Sequence, residues 1–181
     1  MKSKKVGKVS YQLSHNEFKQ KQIKHNNNIV FVLENFEHIE NIGSAFRLAD
    51  AFNIKKIYIV SNNEININKI KKTSRNSEKY VPYEIVSTIE IALEKIKDMN
   101  YTPFCVEICS DSEPLRNVDF SKYFGVALIL GNENFGVSEW ALKLIDNKIH
   151  IDMYGNNSSM NVSTALAITV YKVSEDRLKK I

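Results

Sequence analysis

Three short segments of this chain gather the residue types that orient and polarise a reacting group: Asn41-Ile-Gly-Ser-Ala-Phe-Arg47, Gly131-Asn-Glu-Asn-Phe-Gly136, and the Asn- and Ser-rich residues 156–163. Arg47 is a permanent cation with five donors in a planar fork, suited to a phosphate or a developing negative charge and unsuited to taking a proton. Seen alone, it also fits a surface arginine three residues before Asp50. Glu133 is either a pocket carboxylate or a solvated loop charge, and its loop alone favours the second. Ser159 and Asn161 can each cap a following helix by accepting from early helix N–H groups. Capping one helix start does not account for Asn156, Asn157, Ser158, Ser159, Asn161 and Ser163 together. The spacing of Gly131 and Gly136 lacks the G-x-G-x-x-G arrangement of a dinucleotide-binding turn.

The elements that position these segments follow from hydrophobic period. Short β-branched runs alternate with helix-period stretches, the pattern of a parallel α/β sheet. Strands are predicted near residues 29–33, 57–60, 83–86, 103–108, 126–130 and 149–151, with helices near 41–52, 89–99, 138–145 and 160–179. Residues 62–79 read as a weakly structured functional loop. In the first helix Ile42, Ala45, Phe46, Ala49 and Phe52 form an apolar stripe, with Gly43, Arg47 and Asp50 on the other side and Asn41 as the N-cap candidate. Gly43 costs about 1 kcal/mol relative to alanine inside a helix, so its missing side chain is expected to let something approach closely. Two of the three segments follow apolar strands, at the carboxyl ends where open α/β sheets bind ligands.

The 181 residues, 43% of them apolar and 25% charged, suit one domain with its own core. Cys105 and Cys109 read as reduced thiols, and no Cys/His cluster has metal-ligand spacing, so no metal is expected. No apolar run approaches the roughly 20 residues of a membrane span, and the N-terminus lacks a signal-peptide core, so a cytoplasmic protein without membrane association is expected. The net charge of +4 is uneven: residues 1–28 hold seven lysines and one glutamate, and the remainder sums to −2. A basic arm with Tyr11 and Phe18 interspersed suits a phosphate backbone, and equally a solvated leader. Lys69, Lys71, Lys72 and Arg75 form a second basic cluster that tilts the reading toward nucleic acid.

At these segments the sequence resembles the SpoU (TrmH-like) family of the SPOUT superfamily of RNA 2′-O-ribose methyltransferases, from about residue 29 to 173. The resemblance rests on Asn41, Gly43 and Arg47; on Leu130-Gly-Asn-Glu-Asn-Phe-Gly-Val-Ser138; and on Ile151-Asp-Met-Tyr-Gly155 with Ser159-Met-Asn-Val-Ser163. Lys72-Thr-Ser-Arg-Asn-Ser-Glu-Lys-Tyr-Val-Pro82 also looks like the substrate loop of members that modify tRNA. The charge distribution marks residues 1–28 as a basic arm, and over 29–181 the resemblance implies one methyltransferase domain with a parallel sheet, flanking helices and a C-terminal deep trefoil knot. It implies S-adenosylmethionine as cofactor near Leu130, Gly131, Asn132, Glu133, Gly136, Ile151, Met153 and Met160. By the same comparison Arg47, Asn41, Ser159 and Asn161 are catalytic, Lys69, Lys71, Lys72, Arg75 and Lys79 contact RNA, and the protein is a homodimer built partly on its first and last helices.

Two residues depart from the family pattern. Asp152 stands where proline is usual, and could place a negative charge near the cofactor's sulfonium; Met160 stands for leucine, a volume-conserving change. The expected reaction is 2′-O-methylation of a tRNA loop nucleotide, with ribosomal RNA as the alternative target. A catalytically silent knotted RNA-binding protein and an unrelated α/β small-molecule binder are the competing readings.

Overall fold

The computed structural model describes residues 12–21 and 27–179, so most of the expected basic arm lies outside the described residues. In chain order the elements are α1 (His15–Lys21), β1 (Asn27–Glu34), α2 (Ile39–Ala51), β2 (Ile54–Val60), α3 (Ile67–Thr73), β3 (Tyr83–Val86), α4 (Ile89–Asp98), β4 (Thr102–Val106), β5 (Glu113–Pro114), β6 (Val126–Leu130), α5 (Glu139–Leu144), β7 (Lys148–His150) and α6 (Val162–Leu178). Short 3-10 turns cover Ser77–Lys79, Leu115–Asn117 and Phe120–Lys122. The strands form one sheet in the order β3-β2-β1-β6-β4-β7-β5, and every pairing is parallel.

Strand alternation divides the core into two layers. Ile29, Phe31 and Leu33 of β1 join Leu128 and Leu130 of β6 on the face packed by α2 and α6. Val30, Val32, Ala127 and Ile129 face the opposite layer, with Ala92 and Ile96 of α4 and Ala141 of α5. Burial on both faces explains why β1 and β6 read as unbroken apolar runs rather than as alternating ones.

Several local expectations are corrected. Helix α2 begins at Ile39 with His38 in the N-cap position, and Asn41 lies in its first turn as a buried residue rather than as the cap. Residues 62–79 are not weakly structured: Asn66 caps α3 by accepting from the Lys69 amide at 3.2 Å, and Ile70 is fully buried against the α2 layer. Within the expected arm, Ser14 and Glu17 form a capping box, the Ser14 amide donating to Glu17 Oε2 at 2.8 Å and the Glu17 amide to Ser14 Oγ at 3.4 Å. The strand near 103–108 ends at Val106, which frees Glu107 for the sheet's carboxyl end.

The close neighbour of Gly43 is Thr73 at the end of α3, so Gly43 is buried and does not share Arg47's open surface. A Cβ on Gly43 would lie 2.7 Å from the Thr73 carbonyl carbon and closer still to its side chain. Thr73 cannot easily yield, because its hydroxyl donates to the Ile39 carbonyl at 3.2 Å. Gly43→Ala is therefore expected to lower stability by about 1–3 kcal/mol in urea unfolding, despite alanine's higher helix propensity. An unchanged or raised midpoint would show that α3 moves freely on α2.

Candidate active site

The carboxyl ends of β1, β4, β6 and β7 surround a cavity of about 1030 Å³. One wall is the loop leaving β6, whose shape comes from Asn132. Its side-chain oxygen accepts from the Asn134 and Phe135 amides at 2.8 and 3.1 Å, and its Nδ2 donates to the Asn35 carbonyl at 2.8 Å. Gly136, at φ +70°, closes the turn by donating to the Asn132 carbonyl at 2.8 Å. A Cβ on Gly131 would overlap the backbone of Gly136 and Val137, so only glycine permits this approach. The loop ends at α5, where Ser138 accepts from the Ala141 amide and donates its own hydroxyl to buried Glu34 at 2.7 Å.

Glu133 is not a solvated charge. Its carboxylate accepts from the Glu37 amide at 3.0 Å, the His38 amide at 3.1 Å and Asn41 Nδ2 at 2.8 Å. It thus sits at the start of α2, where His38 supplies no side-chain cap and where a helix favours negative charge. Burial pushes its carboxyl pKa up, but the Asn41 amide and the backbone N–H groups outweigh this and hold it below the ordinary value. Asn41 passes the connection on, its Oδ1 accepting from Asn161 Nδ2 at 3.1 Å. Asn161 is the N-cap of α6, its Oδ1 accepting from the Ser163 and Thr164 amides at 2.9 and 3.3 Å.

The three sequence segments therefore meet through one line of hydrogen bonds, Glu133 to Asn41 to Asn161. All eight residues expected at the cofactor line the cavity: Leu130, Gly131, Asn132, Glu133, Gly136, Ile151, Met153 and Met160. Asn41, Ser159 and Asn161 line it too. Arg47 does not; it is exposed on α2, with no ion pair or hydrogen bond among the described residues. Lys69, Lys71, Lys72, Arg75 and Lys79 are all exposed along α3 and the turns after it, outside the cavity lining. Asp152 also lies outside the lining, with its carboxylate paired to Arg116 instead of facing the cavity.

Sequence reading missed Glu107. It lines the cavity from the end of β4, accepting from the Val137 amide and the Ile108 amide, both at 2.9 Å. Its position at the carboxyl end of a parallel strand was the available signal. Cys109 lines the cavity as well; both it and Cys105 are free thiols, and burial pushes Cys105 up to about 12.

The model describing the SpoU rRNA methylase family matches residues 28–171. The chain belongs to that family. Among its relatives is a tRNA (guanosine(18)-2′-O)-methyltransferase of Thermus thermophilus, 30% identical over 151 residues that cover 83% of this SpoU-family chain and 76% of the relative. The Aquifex aeolicus enzyme of the same name is 28% identical over 159 residues, covering 87% and 74%. A solved structure of an A. aeolicus TrmH/SpoU tRNA modifying enzyme superposes with TM-score 0.73 at 27% identity, covering 85% of this chain and 77% of that one. The fold alone is shared with an AdoMet-bound rRNA methyltransferase from Sinorhizobium meliloti, TM-score 0.75 at 18% identity, covering 83% and 57%.

The cavity suits S-adenosylmethionine, the cofactor of SpoU methyltransferases. Leu130, Leu142, Ile151 and Ala165 give it apolar walls, and Glu107, Glu133 and Glu139 bring negative charge to its lining. The Gly131–Gly136 approach leaves bare backbone at its edge.

Because Glu133 titrates below its unfolded value, its ionisation contributes stability that is present above about pH 4.5 and lost as pH falls through the folded value. The stability deficit of Glu133→Gln is expected to be largest near neutral pH and to shrink on acidification below the unfolded value. Urea midpoints measured across pH 3–7 test this, and a deficit constant with pH would remove the charge from the explanation.

Proposed function

We propose that this SpoU-family chain transfers a methyl group from S-adenosylmethionine to the ribose 2′-hydroxyl of a tRNA loop nucleotide. The observation that carries the reading is the Glu133–Asn41–Asn161 line, which brings three segments distant in sequence to one cavity mouth. The tRNA target is supported by relatives named for 2′-O-methylation of tRNA guanosine. Exposed loop nucleotides present both base edges and 2′-hydroxyls, which suits a small enzyme.

When bound, S-adenosylmethionine supplies an already activated methyl group. What remains for the chain is to align the nucleophile, stabilise charge on its oxygen as its proton leaves to solvent, and keep water from competing for the methyl group. Leu130, Gly131, Asn132, Glu133, Gly136, Ile151, Met153 and Met160 form the cofactor seat. Asn41, Ser159 and Asn161 form the hydrogen-bonding frame beside it. Arg47, whose guanidinium offers donors and no acceptor, anchors an RNA phosphate and stabilises the developing alkoxide rather than removing its proton.

Lys69, Lys71, Lys72, Arg75 and Lys79 form the RNA-contacting strip, on the same side of the fold as Arg47 because α3 packs on α2. A second cavity of about 580 Å³ adjoins the first through His38 and reaches Lys69, a place for the target nucleoside between the strip and the cofactor. Arg47 lies outside its own protomer's cavity wall, which supports a site completed by a second copy in a homodimer. Exposed Ile168, Tyr171 and Leu178 on α6 supply apolar surface for such a pairing. The knotted path is supported by the sheet order, in which β6 returns to the centre before β7 joins beyond β4. No helix among the described residues is long and apolar enough to cross a membrane; the proposed site of action is the cytoplasm.

The test is transfer of labelled methyl to unmodified tRNA and, separately, to unmodified ribosomal RNA, with mass spectrometry of the digested nucleosides. A 2′-O-methylated nucleoside from tRNA alone is expected; label in ribosomal RNA alone would overturn the target, and label in neither would overturn the enzyme reading. Arg47→Ala is expected to abolish transfer while calorimetry shows cofactor binding nearly intact. Full activity in that variant would remove Arg47 from the mechanism.

A further inference from the structure

Residues 148–153 alternate in what they face, as a strand and its extension must. Ile149 is buried in the core, and Ile151 and Met153 line the cavity. The intervening Lys148, His150 and Asp152 each find a polar partner in the segment around β5. Lys148 Nζ pairs with Asp111 at 2.8 Å, His150 Nδ1 shares a 2.9 Å hydrogen bond with Ser112 Oγ, and Asp152 is paired with Arg116. Backbone pairing of β7 with β5 ends at Pro114 and His150. Beyond it, residues 151–160 run without regular structure to α6. Among the described residues, the pair with Arg116 is the one side-chain hydrogen bond that ties residues 151–160 to another segment.

We infer that the Arg116–Asp152 ion pair is a positioning device that holds the 151–160 loop, and with it Ile151 and Met153, in the shape that receives the cofactor. Asp152 lies outside the cavity lining and acts through Arg116. An aspartate leaves the backbone φ of residue 152 unrestricted, as a proline ring would not, and an external tie limits that freedom. The hydrogen bond from Arg116 holds the Asp152 carboxyl below the ordinary carboxylate value, so the pair stays charged near neutrality. Arg116 is largely exposed, with 59% of its side chain accessible, so the tie is of the screened, modest kind.

The inference rests on the cavity being the S-adenosylmethionine site, and the test separates the two. In calorimetry on the full chain, Arg116→Gln and Asp152→Asn are each expected to weaken S-adenosylmethionine about two- to fivefold. The double variant should be no weaker than either single one. Exchanging the charges, Arg116→Asp with Asp152→Arg, should recover most of the affinity. In methyl-transfer assays the loss should fall on KM for the cofactor rather than on kcat.

Hydrogen exchange at the Ser163 and Thr164 amides, bonded to Asn161 where the loop ends, reads the tie independently without cofactor: faster in each single variant and restored by the charge exchange. Additive losses, or single variants that bind and exchange like the parent, would overturn the inference. A parent chain that fails to bind S-adenosylmethionine, while the exchange pattern holds, would overturn the reading of the cavity instead.

Discussion

One carboxylate organises the working end of this fold. Glu133 leaves the central strand β6, yet its three donors belong to the start of α2, some 92 to 96 residues earlier in the chain. The N–H groups entering a helix need acceptors, and the His38 side chain does not provide one for those at and before the N-cap. Supplying that acceptor from another loop converts a local requirement of α2 into a long-range bond. Asn41 then extends it to Asn161, whose oxygen caps α6. Two helix starts and one loop are thus set by a single run of polar groups, and the cavity lies where they meet.

How much of this could be read in the sequence varies with the range of the interaction. The apolar runs of β1 and β6 and the stripe of Ile42, Ala45, Phe46 and Ala49 declare themselves, because burial on one or both faces leaves a periodic trace. Asn161 was one of two capping candidates, and geometry selects it over Ser159. Asn41 was misread as a cap because residue type alone does not say whether an amide serves its own helix or a distant partner. Glu133 is the sharper case: its loop looks solvated, and its partners lie in another element. Helix α3 escaped notice because it is one buried isoleucine and one capping asparagine in a polar stretch, too short for a period to emerge.

That the eight residues from Leu130 to Met160 line one cavity was legible only through the family resemblance, since nothing in their spacing announces a cavity. The resemblance could not supply what is particular to this chain. Asp152 looked like a charge offered to a cationic ligand; in the fold its position on the outer side of the β7 extension turns it toward Arg116. The strict alternation along that strand decides the matter. A residue with an even number there serves the neighbouring segment, and one with an odd number serves the core or the cavity.

The sheet order has a consequence for how the chain is made. Strand β1 is a central strand, yet its partner β6 begins 99 positions after β1 does, at Val126. While the polypeptide is being synthesised from its N-terminus, β2 emerges long before β6, and until β6 arrives the opposite edge of β1 has no partner. That edge carries Ile29 to Leu33, every one of which ends fully buried. For the time taken to translate roughly a hundred residues, several seconds at ordinary elongation rates, an apolar parallel edge stands without a neighbour. The centre of the finished sheet is therefore the aggregation-prone margin of the nascent one, and chaperone occupancy on the ribosome would concentrate there until β6 slots in.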